Sequence, residues 1–434
     1  MYNITLMKKI YLSLIFILTC AGIGYGEIML TWQDVMDYAR QHSPEVRRAA
    51  LELQNAQNAY RRAYSNLMPN VDARARLGMG EGEQHGFSRN FSYGLYGNWE
   101  IFSGFGNWAS VLSARRNLDA ARAAYERALS DISFAIGTAF VNLVWAHENV
   151  ALREAILIRR RENYDMVYLR FTTGTVDKGS LMRVAADTYQ SLFELNRARR
   201  NLQTASAGLF RAMGKKPQDS IIITNALLGV VGGQIERPEI AGFVQSIPEY
   251  KIAMYTLESS RHQLRRANSA WYPRISLGGD IRRFDNSNWP FSRDYSESQG
   301  WGAGISASFP LFTGGSRLFE TRTARNNLRI SEAAFENTNH SLISSAIEIY
   351  NLLQDAYENV AVRERYLAAS RLQAEISAKK YLNGLTSYQD WYVIENDYIN
   401  SQTALLVARR DMIMAKARWN NFAGLDFIEL EETI

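Results

Sequence analysis

The chain is written twice. Ala146-His-Glu-Asn-Val-Ala-Leu-Arg-Glu154 recurs as Ala356-Tyr-Glu-Asn-Val-Ala-Val-Arg-Glu364, an offset of 210 residues. The same offset relates Phe102 to Phe312, Gly104 to Gly314, Asn117 to Asn327, Gly174 to Gly384, Asp187 to Asp397 and Gly214 to Gly424. A register held over such a distance requires long elements that tolerate no insertion, and it makes a duplicated unit the first thing to assign. Nearer the start of each copy, Pro44 matches Pro248 and Pro69 matches Pro273, now at an offset of 204. The six extra residues fall between Pro273 and Phe312, around Asp285-Asn-Ser-Asn-Trp-Pro290, where an exposed loop tip would absorb them. The copies are 27–225 and 226–434, the second with a short C-terminal tail.

No proline interrupts Gly106 to Phe171, and apolar or small residues recur in steps of three and four at Leu118, Ala121, Tyr125, Ala128, Ile132, Ala135, Ala139, Ala146 and Val150. That spacing predicts a helix with a coiled-coil-like seam over 106–171, ~99 Å long at 1.5 Å per residue. The stretches 31–66 and 177–213 predict helices of roughly 55 Å each. Thr31 and Asp34 form a capping-box variant at the start of the first.

A different rhythm separates the helices. Val71, Ala73, Ala75 and Leu77 alternate with Asp72, Arg74 and Arg76, and Leu95, Trp99 and Ile101 alternate with Tyr96, Asn98 and Glu100. The second copy repeats the pattern with Ile275, Leu277 and Ile281, then Trp301, Ile305 and Phe309. Period two with one apolar face means strands, so each copy offers one hairpin, 71–102 and 275–312. The strands approach the ~9–11 residues of a tilted transmembrane strand, and aromatics cluster at their ends: Trp99, Phe102, Trp301, Phe309 and Phe312. An open sheet edge is not tolerated in hydrocarbon, and barrels begin at about eight strands, so other copies must close this one. Three chains would supply twelve strands and two would supply eight; the polar face, with Asp72, Arg74, Arg76 and Glu100, suits a wet lumen in the larger barrel. The competing reading is a soluble protein with two amphipathic hairpins.

Lys8-Lys9 and the apolar run Ile10–Leu18, with small residues before Glu27, predict a secretory signal over 1–26. That run is the one candidate membrane span expected from the sequence, and it is too short to cross a bilayer. Removing the two lysines lowers the net charge from +5 to +3, which is no footprint for nucleic acid. The single cysteine, Cys20, excludes a disulfide framework; it lies in the signal, or is a lipid attachment site without the small residue expected before it.

Taken together, Leu30-Thr31, His42-Ser-Pro-Glu45, Leu67-Met-Pro-Asn70, Phe102-Ser-Gly104 with its twin Phe312-Thr-Gly314, and the turns at Gly174 and Gly384 resemble the TolC family of outer-membrane efflux proteins. The resemblance covers nearly all of the chain after the signal. It implies a mainly α fold with a β-barrel segment: a homotrimer whose 12-stranded transmembrane barrel continues into a long α-helical barrel through the periplasm, girdled by an equatorial belt to which 215–238 and the tail after Gly424 contribute. It also implies a passive duct, embedded in outer-membrane lipid, that docks a periplasmic adaptor coupled to an inner-membrane transporter, as in tripartite efflux or type I secretion.

Gly174 and Gly384 each end a long helix and precede another, farthest from the strands. In the family this turn binds the adaptor and closes the duct. The resemblance therefore implies Gly174, Thr175, Val176, Gly384, Leu385 and Thr386 as adaptor-docking positions and Asp390 as a ring of carboxylates at the periplasmic gate. A second family aspartate position holds Val393, and a family arginine position holds Thr386, so the resemblance does not extend to the family's inter-helix lock and leaves the ring to Asp390 alone. The alternative for Asp390 is a helix N-terminal acid favoured by the macrodipole.

The five histidines show no metal-ligand spacing, no P-loop exists, and no acid-base or nucleophile constellation stands out, so neither cofactor nor enzyme chemistry is expected. Gly78-Met-Gly-Glu-Gly82 is no dinucleotide fingerprint and reads as a flexible hairpin loop. A periplasmic coiled-coil scaffold without channel activity would share the repeat and the seam.

Overall fold

The computed structural model describes residues 28–30, 32–82, 86–216, 221–223, 237–285 and 299–427. The signal, Cys20, the Thr31 cap, the inserted loop after Asp285 and most of the belt segment 215–238 lie outside them. The first copy runs β1 (Ile28–Leu30), α1 (Trp32–His42), α2 (Pro44–Ser65), β2 (Asn70–Gly82), β3 (Gly86–Ser103), α3 (Gly106–Thr172) and α4 (Lys178–Ala212). After β4 (Ile221–Ile223), which pairs in parallel with β1, the second copy runs α5 (Ile240–Ser246), α6 (Pro248–Asn268), β5 (Arg274–Asp285), β6 (Gln299–Ser308), α7 (Ser316–Leu382) and α8 (Tyr388–Ala423).

The long helices α3 and α7 contain 67 residues each, ~100 Å at the α-helical rise. The stretch expected as one helix over 31–66 is broken at Ser43, whose ψ of 125° is extended. Pro44 forces this, because its ring crowds the preceding residue out of helical geometry. Ser43 turns the break into a cap, its hydroxyl accepting from the Glu45 amide at 3.3 Å.

α3 packs against α1, α2, α4, α6 and α8. That multiplicity displaces the expected seam. Leu118 and Ala146 are buried, but Ala135 is exposed and the deepest positions are Phe140, Val141 and Val167. The central core gathers Trp32 and Val35 of α1, Phe140 of α3, Leu209 of α4, Leu353 of α7 and Met412 of α8. One window of α3 is long and apolar enough to span a bilayer, a candidate beyond Ile10–Leu18, and 44% of it is buried within the chain.

Phe427, just past α8, packs on Trp32 with ring centroids 4.7 Å apart, and its amide donates to the Ser133 hydroxyl at 3.0 Å. Gly137 makes this possible: a Cβ there would stand 2.3 Å from the Phe427 ring. The tail thus ties the end of the second copy to the middle of the first.

The hairpins join into one antiparallel four-stranded sheet, ordered β2-β3-β5-β6. Gly78–Gly82, expected as a loop, is the end of β2, paired with residues 86–90 of β3. Alternate glycines imitate a loop signal, yet backbone pairing needs no side chain. Val71, Leu77, Leu95, Ile281, Trp301 and Ile305 share one face, all exposed in the single chain. The other face is polar, where Arg74 pairs with Asp72 at 3.0 Å and Arg282 with Asp280 at 3.2 Å. Arg283 interrupts the apolar face and donates to the Tyr93 hydroxyl at 3.3 Å.

Candidate functional site at the helix turns

The two turns farthest from the sheet share one backbone solution. After α3, Gly174 has φ +74°; its amide donates to Phe171 O at 3.0 Å and the Thr175 amide donates to Arg170 O at 2.9 Å. After α7, Gly384 has the same φ, with Gly384 N to Tyr381 O at 3.1 Å and Leu385 N to Lys380 O at 2.8 Å. Each is a Schellman closure, which needs a left-handed residue and so favours glycine. Thr175 is exposed and Leu385 is 73% exposed, while Val176 and Thr386 are half-buried. Four of the six expected docking positions therefore present themselves at the outermost surface.

The next helices start from mirrored caps. Asp177 accepts from the Ser180 amide at 2.9 Å and the Ser180 hydroxyl at 2.7 Å. These bonds hold its carboxyl below the usual range. In the second copy Ser387 is the cap, accepting from the Asp390 amide at 3.1 Å, and its hydroxyl donates to the Asp390 carboxylate at 2.6 Å. Asp390 is exposed, and its carboxylate holds the capping hydroxyl of Ser387 in place at the first turn of α8. Asp390 is thus an acid in the first turn of α8, at the surface, where the macrodipole favours it.

Behind the turns the copies share a core of Val167, Val184, Tyr381 and Trp391. Tyr381 stacks on Trp391 at 4.8 Å, and Arg170 lies 4.3 Å from the Tyr381 ring centroid while donating to Leu382 O at 3.1 Å. The hydroxyls of Tyr381 and Tyr388 and the Trp391 indole N–H are buried without a hydrogen-bond partner. Burial raises the pKa of both tyrosines. Further along, the Tyr392 hydroxyl donates to Asp187 at 2.8 Å and accepts from Arg183 at 3.1 Å. Arg159 forms a two-point ion pair with Glu395, and Asn163 donates to the same carboxylate at 3.0 Å.

Sequence reasoning missed Glu395, Arg159 and Asn163. Comparing the copies could have found them, since Glu395 stands where the first copy has Ala185. Of the aromatics expected at rims, Trp99, Phe102, Phe309 and Phe312 lie at the helix-proximal end of the sheet, and Trp301 lies near its far end, opposite Ile281. Trp99 donates its indole N–H to Leu67 O at 2.9 Å, whereas Trp301 and Phe312 are 80% and 86% exposed.

Comparison with known proteins agrees with this architecture. The family model described as outer membrane efflux protein matches residues 35–215 and 248–424. The outer membrane efflux protein BepC of Brucella suis is 21% identical over 380 residues, covering 87% of this chain and 81% of the relative. The cation efflux system protein CusC of Escherichia coli is 22% identical, covering 83% and 79%. Among solved structures, the outer membrane protein VceC of Vibrio cholerae superposes with a TM-score of 0.80 at 20% identity, covering 91% of this chain and 96% of that one. With each copy matched along its length, the chain belongs to the outer membrane efflux protein family, as a channel of the outer membrane that extends into the periplasm.

Proposed function

We propose that three copies assemble into one duct, with β6 of each chain pairing with β2 of the next to close a twelve-stranded barrel. The observation that carries this reading is the sheet itself: β2 and β6 each have a single neighbour among the described strands, while one face is apolar and exposed. An unpaired edge cannot rest in hydrocarbon, and four strands are too few to close a barrel. The exposed rim aromatics Trp301, Phe309 and Phe312 support the same placement, as interfacial anchors at the two membrane boundaries. The polar face with Asp72, Arg74, Arg76 and Glu100 then lines the lumen.

At the other end, three copies of Asp390 form the constriction, and Gly174, Thr175, Val176, Gly384, Leu385 and Thr386 form the surface that meets a periplasmic adaptor coupled to an inner-membrane transporter. The duct is passive: it performs no reaction, and selection of cargo rests with the transporter. Native mass spectrometry of the protein extracted in detergent tests the assembly. Three chains are expected; a stable monomer, dimer or tetramer overturns it, and extraction without detergent favours the scaffold reading.

A further inference from the structure

On the polar face of the sheet, bulky side chains are few and most charges are matched. β6 gives that face Gly300, Gly302, Gly304 and Ser306, with no ionisable group. Gly94 of β3 lies between Arg74 of β2 and Arg282 of β5 in one cross-strand row. A Cβ on Gly94 would stand 2.5 Å from Ile281 O and 3.0 Å from the Arg282 Cβ, so the row is left to the two arginines. Each meets an acid of its own strand, Arg74 with Asp72 at 3.0 Å and Arg282 with Asp280 at 3.2 Å. Closer to the helices, Arg274 faces Glu100 at 4.0 Å.

Arg76 is the exception. It is exposed, and its side chain has no hydrogen bond or ion pair among the described residues. Its cross-strand neighbour is Ser92. When the barrel closes, the strand that comes to lie beside β2 is β6 of the next chain, which carries no carboxylate from Gln299 to Ser308. Among the described side chains of this face, Arg74, Arg76, Arg274 and Arg282 stand against Asp72, Glu100 and Asp280, a surplus of one positive charge per chain. Arg76 lies six residues beyond Asn70, the start of β2. That is about 20 Å along the strand and about 15 Å along the axis at a tilt of about 40°, in the outer half of a ~25 Å apolar band.

We propose that Arg76 is the ion-specificity residue of the barrel: its three copies form an uncompensated guanidinium ring in the outer half of the lumen, which favours anions over cations. The inference rests on the trimeric duct reading, with the polar face lining the lumen. Paired arginines add little to the field, because each stands beside an opposite charge, whereas an unpaired charge acts over the Debye length. Twelve strands about 4.8 Å apart at that tilt set the wall about 12 Å from the axis. The ring therefore reaches across the lumen at 10 mM salt, where the Debye length is about 30 Å, and fails to at 1 M, where it is about 3 Å. The bias acts on ions in transit, and choice of cargo remains with the transporter.

The test is the reversal potential of the purified full-length protein in planar bilayers, under a gradient of roughly 10 against 100 mM KCl. The background is Asp390→Ala, so that carboxylates at the periplasmic constriction do not set the ratio. Arg76→Gln is expected to lower the chloride-to-potassium permeability ratio about threefold or more, and Arg76→Lys to keep it within about 1.5-fold. Asp72→Asn, which releases Arg74 from its acid, is expected to raise the ratio. Near 1 M salt the gap between Arg76 and its glutamine variant should close. A ratio unmoved by Arg76→Gln at low salt, lost equally in Arg76→Lys, lowered by Asp72→Asn, or shifted as much at high salt overturns the proposal. Failure of the underlying duct reading shows separately: the native mass is not that of three chains, or a thiol introduced by Arg76→Cys stays unmodified by a membrane-impermeant reagent in the bilayer.

Discussion

The two copies of the repeat have nearly the same backbone and different chemistry. Both long helices have 67 residues, and both end on a glycine at φ +74°. Yet the first copy caps its next helix with Asp177 and the second with Ser387, and among the described residues only the second carries a buried acid. The seat of the tail diverges too: Gly137, which admits Phe427, corresponds to Ile347. Positions that set the path of the chain are shared, whereas positions that bind one copy to the other are one-sided. Duplication supplied the frame, and divergence made the copies complementary.

The largest expected break in this comparison comes from Glu395→Ala. It leaves Asn163 and the partly exposed Arg159 without their carboxylate and should cost about 2–3 kcal/mol, while Ala185→Ser at the matching position should stay within about 0.5 kcal/mol. Denaturant unfolding of the two variants side by side checks the contrast, and equal losses would refute the asymmetry. Gly137→Ile writes the second copy's residue into the first and should displace Phe427, costing about 1–3 kcal/mol. Protease cleavage after Phe427 should accelerate, and an unchanged tail would show that Gly137 is not what seats it.

Shared positions should respond alike. Gly174→Ala and Gly384→Ala each force a side chain into left-handed geometry, at about 1–2 kcal/mol, and a large difference between them in thermal unfolding would break the equivalence of the turns. Ser387→Ala removes a cap at about 1 kcal/mol. The smallest effect separates the two caps by pH. Asp177 has its carboxyl held below the ordinary 3.8, so its contribution is complete above that value and is lost as pH falls through the lower folded value. Hydrogen exchange at the Ser180 amide should therefore quicken in that acid window relative to the intrinsic rate, and Asp177→Asn should flatten the response.

Much of the frame was legible in sequence because its signals are local. Missing proline announces a long helix, a glycine after a periodic run announces a turn, and alternation announces a strand. The break at Ser43 was equally local and was signalled by Pro44, but continuity of the apolar pattern masked it. Gly78–Gly82 misled because alternate glycines resemble a loop until their partner strand is known. Glu395 left no local trace: its partner Arg159 lies 236 residues away, and only the alanine at the matching position of the other copy marks it. At the tip, Asp390 could be placed from its distance to Gly384, but its bonds to Ser387 could not be weighed before the cap was seen.

The duct itself is tested most directly by single-channel recording of the purified full-length protein, with and without Asp390→Ala. Discrete conductance steps are expected from both, with a larger step once the three carboxylates are removed from the constriction. Absence of conductance in both proteins under any applied voltage would contradict the account.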